Sequence, residues 1–577
     1  MKGSANKMRR IESDRGLAGR RTLTIAVTGL LVSCTVVLLP QQQDSASEAA
    51  KSPIHFTPRP FPFSLDSCDT PERHVPETMA GGVAVFDYNN DGNLDIFFTN
   101  GADITSLKKT SPKYWNRLFR NNGDGTFTDV TEKAGLAGTG YDTAVAIGDY
   151  DNDGFEDIFV GGVYRNTLYH NNGDGTFSDV TEKTGLSNLD RRYGPLWSTG
   201  AAWVDVNNDG RLDLFVVNYL KLDRSNEPAC KVNGTPDYCH PKFFQGLPNQ
   251  LFLNNGDGTF KDVSEPSGIR AHVGKGMGVA VADFNGDGLP DFFVTNDKLF
   301  NFLFRNKGDG HFEEVAFEAG VALPEHGNLI SGMGADSQDL NNDGFPDIAF
   351  AALVNETFPV FQGNGKGEFT EITARGGMTA LSSPMSGYSV NIADFDNDGW
   401  KDIFVARGDV QSPAMASIVQ IDQPNTVFRN APGGRWSALT AEAGFGALPP
   451  RRHRGAAVGD FNHDGKLDIV VSALSAPAEI WINDSPNHNH WLELVLRGTK
   501  SNRDGIGARI RMVAGGQTQF IYKSTASGYA SSSAGPVHFG LGTANRVDEI
   551  EIRWPSGKVQ VLTNIAPDQI LPVTEPK

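Results

Sequence analysis

Asp87-Tyr88-Asn89-Asn90-Asp91-Gly92-Asn93-Leu94-Asp95 decides how this chain folds, because the same nine-residue pattern, D-x-[DN]-x-D-G-x-x-D, returns six more times. The later copies begin at Asp149, Asp205, Asp283, Asp339, Asp394 and Asp460. Successive starts are 62, 56, 78, 56, 55 and 66 residues apart, so each unit has room for about four short strands and their turns. Every loop sits in one frame: a Gly/Ala-rich apolar strand precedes it and a stronger apolar strand follows, as in Gly82 to Phe86 and Asp95 to Thr99. A third strand begins near Leu118, Leu168, Leu251, Leu303 and Val427, and an Asn-Gly or Asp-Gly turn such as Asn121-Asn122-Gly123-Asp124-Gly125 leads into a fourth. Four antiparallel strands repeated radially predict an all-β fold, a seven-bladed β-propeller spanning residues 75–486. An open solenoid is the alternative.

Blade seven supplies three strands but lacks the fourth glycine turn, so its outer edge needs a partner. Residues Ile54 to Phe63, within a linker at 41–74, alternate apolar and polar and are expected to close the ring there. From about Asn487 the loop pattern stops and strands alternate from Trp491 to Leu562, which predicts a small C-terminal β-sandwich-like domain at 487–577. Its Ser-rich stretch, Ser524 to Ser533, reads as a flexible loop beside a core Trp554, with a ligand surface as the second reading.

Carboxylates at positions 1, 3, 5 and 9 of such a loop, with the carbonyl of position 7, can surround one calcium ion, and glycine at position 6 permits the turn. The ligand sets are then Asp87, Asn89, Asp91, Asn93 and Asp95; Asp149, Asp151, Asp153, Phe155 and Asp157; Asp205, Asn207, Asp209, Arg211 and Asp213. Next come Asp283, Asn285, Asp287, Leu289 and Asp291; Asp339, Asn341, Asp343, Phe345 and Asp347; Asp394, Asp396, Asp398, Trp400 and Asp402; and Asp460, Asn462, Asp464, Lys466 and Asp468. A single Asp/Asn/Gly loop is ordinarily just a turn. Seven registered copies concentrate 23 of the 69 acidic residues at these positions, which costs stability unless cations accompany them. Up to seven Ca²⁺ ions are expected, bound more weakly where position 3 is Asn than in loops two and six, where it is Asp. Strands flank every loop and position 12 is apolar, so none is an EF-hand.

The formal charge of −18 repels phosphate backbones, and outside the first 21 residues no Lys/Arg cluster interrupts it, which argues against nucleic acid as a partner. The first 40 residues read as a signal peptide or membrane anchor: five arginines precede an uncharged apolar run from Thr22 to Pro40. Leu31-Val32-Ser33-Cys34 resembles a lipobox and Arg20-Arg21 faintly a twin-arginine signal. In an exported chain Cys230 and Cys239, nine apart, are expected to form a disulfide, leaving Cys68 as a single thiol.

These residues resemble FG-GAP/VCBS-repeat propellers of the cartilage acidic protein type that end in an ASPIC/UnbV domain. The resemblance rests on Pro76 to Val83 before the first loop, the repeated Asn-Gly-Asp-Gly-Thr-Phe turns, and a tail with Ser527-Gly528-Tyr529, His538 to Gly542 and Trp554-Pro555-Ser556-Gly557. It implies an extracellular calcium-binding adhesion or scaffold protein. Asn89 where the family often has Asp, and the degenerate turns Gly363-Asn364-Gly365 and Pro432-Gly433-Gly434, depart from that pattern.

Taken together the expectation is an extracytoplasmic monomer, secreted, periplasmic or held at the envelope, touching membrane only through its N-terminal segment and binding a protein or glycan. The loop face and the insertion around Cys230 to His240 would present the recognition surface, with Tyr238, His240, Phe243 and Phe244 either anchors or packing. The alternative is a carbohydrate-active or other hydrolase or lyase using the propeller channel. No nucleophile elbow, HExxH or phosphate loop supports it, and His488 and His490 read as linker residues.

Overall fold

The computed structural model describes residues 52–186, 188–412, 415–417 and 419–577. The export segment, with Cys34 and both arginine motifs, lies outside the described residues.

Among the described residues each aspartate loop has its own four antiparallel strands; six of these sets are four-stranded sheets, and the first is part of a six-stranded sheet. Their innermost strands are Val83–Phe86, Asp142–Gly148, Ser198–Val204, Gly276–Ala282, Ala335–Gln338, Gly387–Ala393 and His453–Gly459. Each adjoins the next and the last adjoins the first, so the sheets form a closed, propeller-like ring. Apolar side chains between neighbouring sheets explain this arrangement: Phe215 stacks on Phe292 of the next sheet at 4.1 Å between ring centroids, within a buried cluster shared by the third and fourth sheets. The seventh sheet takes its outer strand from the start of the chain. Phe56–Ser64 pairs antiparallel with Pro477–Asn483, Phe56 opposite Asn483.

Residues 490–575 build two further sheets, of three and four strands, around a core of Leu492, Leu494, Ile510, Met512, Phe539, Ile552 and Trp554. Trp554 is 2% exposed, with its Nε1 hydrogen-bonded to Gln560. Here the structure corrects the expectation for the Ser-rich stretch. Ala526–Ser527 and Ser531–Ser533 form a hairpin that leaves this region and enters the propeller axis, where Ser531–Ser533 runs parallel to Val83–Phe86. The inner strands bond to it from five sheets: Val83 N to Ser531 Oγ, Val145 N to Ala530 O, Ala335 N to Gly528 O, Ser389 Oγ from Tyr529 N, and Val458 N to Ser533 Oγ, all at 3.0–3.2 Å. Small residues in the inner strands make room for this hairpin, since a Cβ on Gly82 or Gly334 would strike its backbone. The stretch is a buried plug, not a flexible loop.

The third-sheet insertion crosses the opposite end of the ring. Its Cys230–Cys239 disulfide is formed (S–S 2.04 Å), and Cys68 stays free beside Tyr114 Oη. Asp237 accepts from Ser412 N, and Tyr238 Oη donates to Asp69 and Glu77, so the insertion ties the sixth sheet to the approach of the first. Phe244 is buried and Phe243 exposed. Packing therefore accounts for Tyr238 and Phe244.

The Trp554-Pro555-Ser556-Gly557 turn has a definite partner. Glu575, 1% exposed, takes the N–H groups of Thr499, Lys500 and Ser501 at 2.7, 2.7 and 2.9 Å, and the hydroxyls of Ser501 and Ser556. Burial pushes its carboxyl up, but the bonds from Ser556, Lys500, Thr499 and Ser501 outweigh that and hold it down at about 2. A depressed carboxyl adds stability above its unfolded value of 4.5, lost as pH falls through that value towards 2. Glu575→Gln is expected to cost about 2 kcal/mol at pH 7 and almost nothing near pH 2, read by urea unfolding at the two pH values. A pH-independent loss would refute the charge argument.

Candidate metal centres

Each aspartate loop has one internal wiring, repeated seven times. The position-1 carboxylate accepts the N–H groups of positions 5 and 6: for Asp149 these are Asp153 at 3.0 Å and Gly154 at 2.7 Å, and for Asp460 they are Asp464 at 3.3 Å and Gly465 at 2.7 Å. The position-9 carboxylate accepts from position 2 and from the end of the third strand, as Asp157 does from Tyr150 and Asn171. Position 6 is always glycine with φ between +79° and +96°, and position 4 also has positive φ, at Asn90, Asn152, Asn208, Gly286, Asn342, Asn397 and His463. This backbone is common to all seven loops and anchors the position-1 and position-9 carboxylates on main-chain N–H groups.

The seven loops differ in how they treat the position-5 carboxylate. In loops one, three, four, five and seven the position-3 Asn amide donates to its Oδ2, as Asn89 does to Asp91 and Asn285 to Asp287, both at 2.9 Å. Loops two and six carry Asp there instead. Oxygens of Asp149, Asp151 and Asp157, and of Asp394, Asp396 and Asp402, lie within 4.8 Å of one another. Near loop two stands His170, its Nδ1 3.3 Å from both Asp151 and Asp157. Near loop six stands Arg429, donating to Asp396 and Asp398 at 2.7 Å each. Burial pushes these carboxyls up, Asp95, Asp149 and Asp291 to about 8 and Asp157 to about 7. Such crowding of desolvated acids is relieved by a cation. The donor set is all oxygen, and Asp396 Oδ1, in a residue only 3% exposed, has no hydrogen-bond partner, so the residues fit a hard divalent ion.

Two further sets of residues escaped the motif reading. An Asn at the end of the third strand in six of the seven sheets reaches back to the preceding sheet. Asn121, Asn171, Asn254, Asn306, Asn430 and Asn483 donate Nδ2 to the position-2 carbonyls of Phe461, Tyr88, Tyr150, Val206, Leu340 and Phe395 at 2.8–3.0 Å. Only the fifth sheet breaks the ring, with Gly363, where the turn is degenerate. The position-4 Asn residues reach forward: Asn90, Asn152, Asn208, Asn342 and Asn397 donate to the position-6 carbonyls of Gly154, Gly210, Gly288, Gly399 and Gly465 at 2.8–3.1 Å. The loops are thus clasps between sheets as well as candidate ion sites.

The loop face is not open, contrary to expectation. Arg503 N and Asp504 bond to loop two, Arg509 to Gly344 O at 2.7 Å, Gln517 to Gly399 O at 2.9 Å and His538 to Gly465 O at 3.1 Å. The C-terminal sheets sit on these glycine carbonyls, and a Cβ on Gly465 would run into Trp491. His490 pairs with Asp568 at 2.7 Å.

Repeated four-stranded sheets with such loops define an FG-GAP repeat protein of propeller-like fold. The FG-GAP-like repeat family matches residues 87–160, 149–216, 243–294, 285–350, 339–405 and 415–471, and the ASPIC and UnbV family matches 498–577; the chain belongs to the FG-GAP-like repeat family and carries the ASPIC and UnbV module. It is similar to cartilage acidic protein 1 of Homo sapiens, 27% identical over 526 residues, covering 87% of this chain and 72% of that one. It is also similar to integrin alpha-4 of Xenopus laevis, 30% identical over 147 residues, 22% of this chain and 14% of that one. A solved structure of BBS1N in complex with ARL6DN, 11% identical, covers 76% of this chain and 98% of its own at a TM-score of 0.41.

Proposed function

We propose that this chain is an extracytoplasmic calcium-binding interaction protein, in which ions held by the aspartate loops stiffen the ring and the outer surface engages a protein or glycan partner. The observation that carries this reading is the seven-fold repetition of one carboxylate wiring, with buried acids raised by desolvation. Calcium would be held by positions 1, 3, 5 and 9 and the position-7 carbonyl, supplying charge and rigidity. The Cys230–Cys239 disulfide and the export-like N-terminal sequence support a location outside the cytoplasm. The plug in the propeller axis supports a scaffold over a channel enzyme. With the loop face covered, partners are left the rim, where Phe300 and Phe317 lie exposed with rings 4.8 Å apart, and the insertion with exposed Phe243.

The test is calcium binding and thermal unfolding of residues 52–577 in calcium and in chelator. Several bound ions and a raised melting temperature are expected, since each site filled at a hundred times its Kd adds about 2.7 kcal/mol. No binding and no shift would reduce the loops to turns.

A further inference from the structure

Loops two and six look the best calcium sites by composition, with aspartates at all four ligand positions, yet their surroundings differ: His170 Nδ1 stands 3.3 Å from Asp151 and Asp157 of loop two, whereas a guanidinium is bonded into loop six. The residue before the clasping Asn, or before Gly363 in the fifth sheet, is Arg120, His170, Leu253, Arg305, Gln362, Arg429 and Ile482 in the seven sheets. Arg429 alone among them places a guanidinium across two ligand carboxylates of its own loop, Nε on Asp396 Oδ2 and an Nη on Asp398 Oδ2. Arg120 instead bonds Asn122, and Arg305 lies against Gly367 O and Glu318. Lys401, at position 8 of loop six and 4% exposed, donates instead to Asp339 O of loop five, and its charge acts on Asp339 of that loop before Asp394.

We propose that Arg429 is the built-in counter-cation of loop six, bonded to the oxygens that an incoming calcium ion would need, so that this loop takes the ion far more weakly than loop two. The proposal rests on the calcium reading above, and separates loops two and six, which formal charge ranks together. An ion entering loop six must first break two charge-assisted bonds, whose planar fork matches the paired carboxylates. What it finds free is the unpartnered Asp396 Oδ1. The sheet then keeps its shape whether or not calcium is present, because the guanidinium already offsets Asp396 and Asp398.

Trp400, at position 7 of this loop with its N–H on Asp398 Oδ1 at 2.9 Å, offers a local reporter: terbium in loop six would luminesce on tryptophan excitation. Residues 52–577 would be titrated with Tb³⁺ as the unmodified chain, as Arg429→Gln, and as Arg429→Leu, the residue that Leu253 shows a third strand accepts here. The added Trp400→Phe change subtracts signal from elsewhere, and unfolding curves confirm that each variant is folded. The expected result is a Trp400-dependent emission whose midpoint falls at least about tenfold in Tb³⁺ when Arg429 is replaced. Equal midpoints with and without Arg429, or no Trp400-dependent signal in any variant, would overturn the proposal. If the unmodified chain binds no lanthanide while the Arg429 variants gain the signal, the proposal stands and the calcium reading of the other loops falls.

Discussion

Tyr529→Ala is expected to lower the unfolding free energy by about 3–5 kcal/mol, the range for removing a fully enclosed aromatic ring. Tyr529 is 0% exposed at the tip of the plug, edge-on to Tyr388 with ring centroids 5.1 Å apart, and its hydroxyl donates to Met79 O at 2.8 Å. Met79 lies just ahead of the first sheet and Tyr388 in the sixth, so one ring spans the axis and joins parts of the chain that sequence holds far apart. The surrounding inner strands are locked by their own ladders and cannot collapse into the space, which places the loss at the upper end. Tyr529→Phe, which removes only the hydroxyl and leaves a buried carbonyl unpaired, is expected to cost about 1–2 kcal/mol. Urea unfolding followed by tryptophan fluorescence measures both. A loss under 1 kcal/mol for the alanine variant would mean that the hairpin does not occupy the axis.

The second large effect falls on a position-9 carboxylate. Asp468, 0% exposed, accepts the N–H groups of Asn483 at 2.7 Å and Phe461 at 3.0 Å, one on each oxygen. An amide keeps only one acceptor and turns its NH₂ against the other N–H, so Asp468→Asn is expected to cost about 3 kcal/mol. Both donors belong to the seventh sheet, where the two ends of the ring meet, and Asn483 also clasps the sixth sheet through Phe395 O. Measured in chelator the loss should persist, because the bonds are to backbone. A loss seen only with calcium present would make Asp468 a ligand and nothing more.

The aspartate loops are legible because their chemistry is local: nine residues, each position with its own steric or charge demand, repeated in register. The need for an extra outer strand is likewise readable, since the segment ending at Asn483 has no glycine turn after it. The Ser524 to Ser533 plug is not readable. Its partners Val83, Val145, Ile147 and Ser389 lie roughly 140–450 residues away, and small polar residues carry no periodicity when every one is satisfied by a foreign strand. The clasping asparagines hide for a different reason. Asn121, Asn171 and Asn254 stand just before an Asn-Gly hairpin turn, and that local setting conceals the Nδ2 bond to the neighbouring sheet. Position 4 of the loops misleads similarly: it looks like spacing between ligands, yet Asn152 and Asn397 bridge sheets through it.

The strand Phe56–Ser64 is among the first parts of the described chain to leave the ribosome, and its partner Pro477–Asn483 is among the last. At about 5–20 residues per second, it waits on the order of 20–80 s before a mate exists. Throughout that interval Phe56, Phe61 and Phe63, all buried in the finished ring, stay uncovered, and the hairpin that fills the axis emerges later still. Until the seventh sheet is made, this strand is an uncovered apolar segment of the kind that favours aggregation during synthesis.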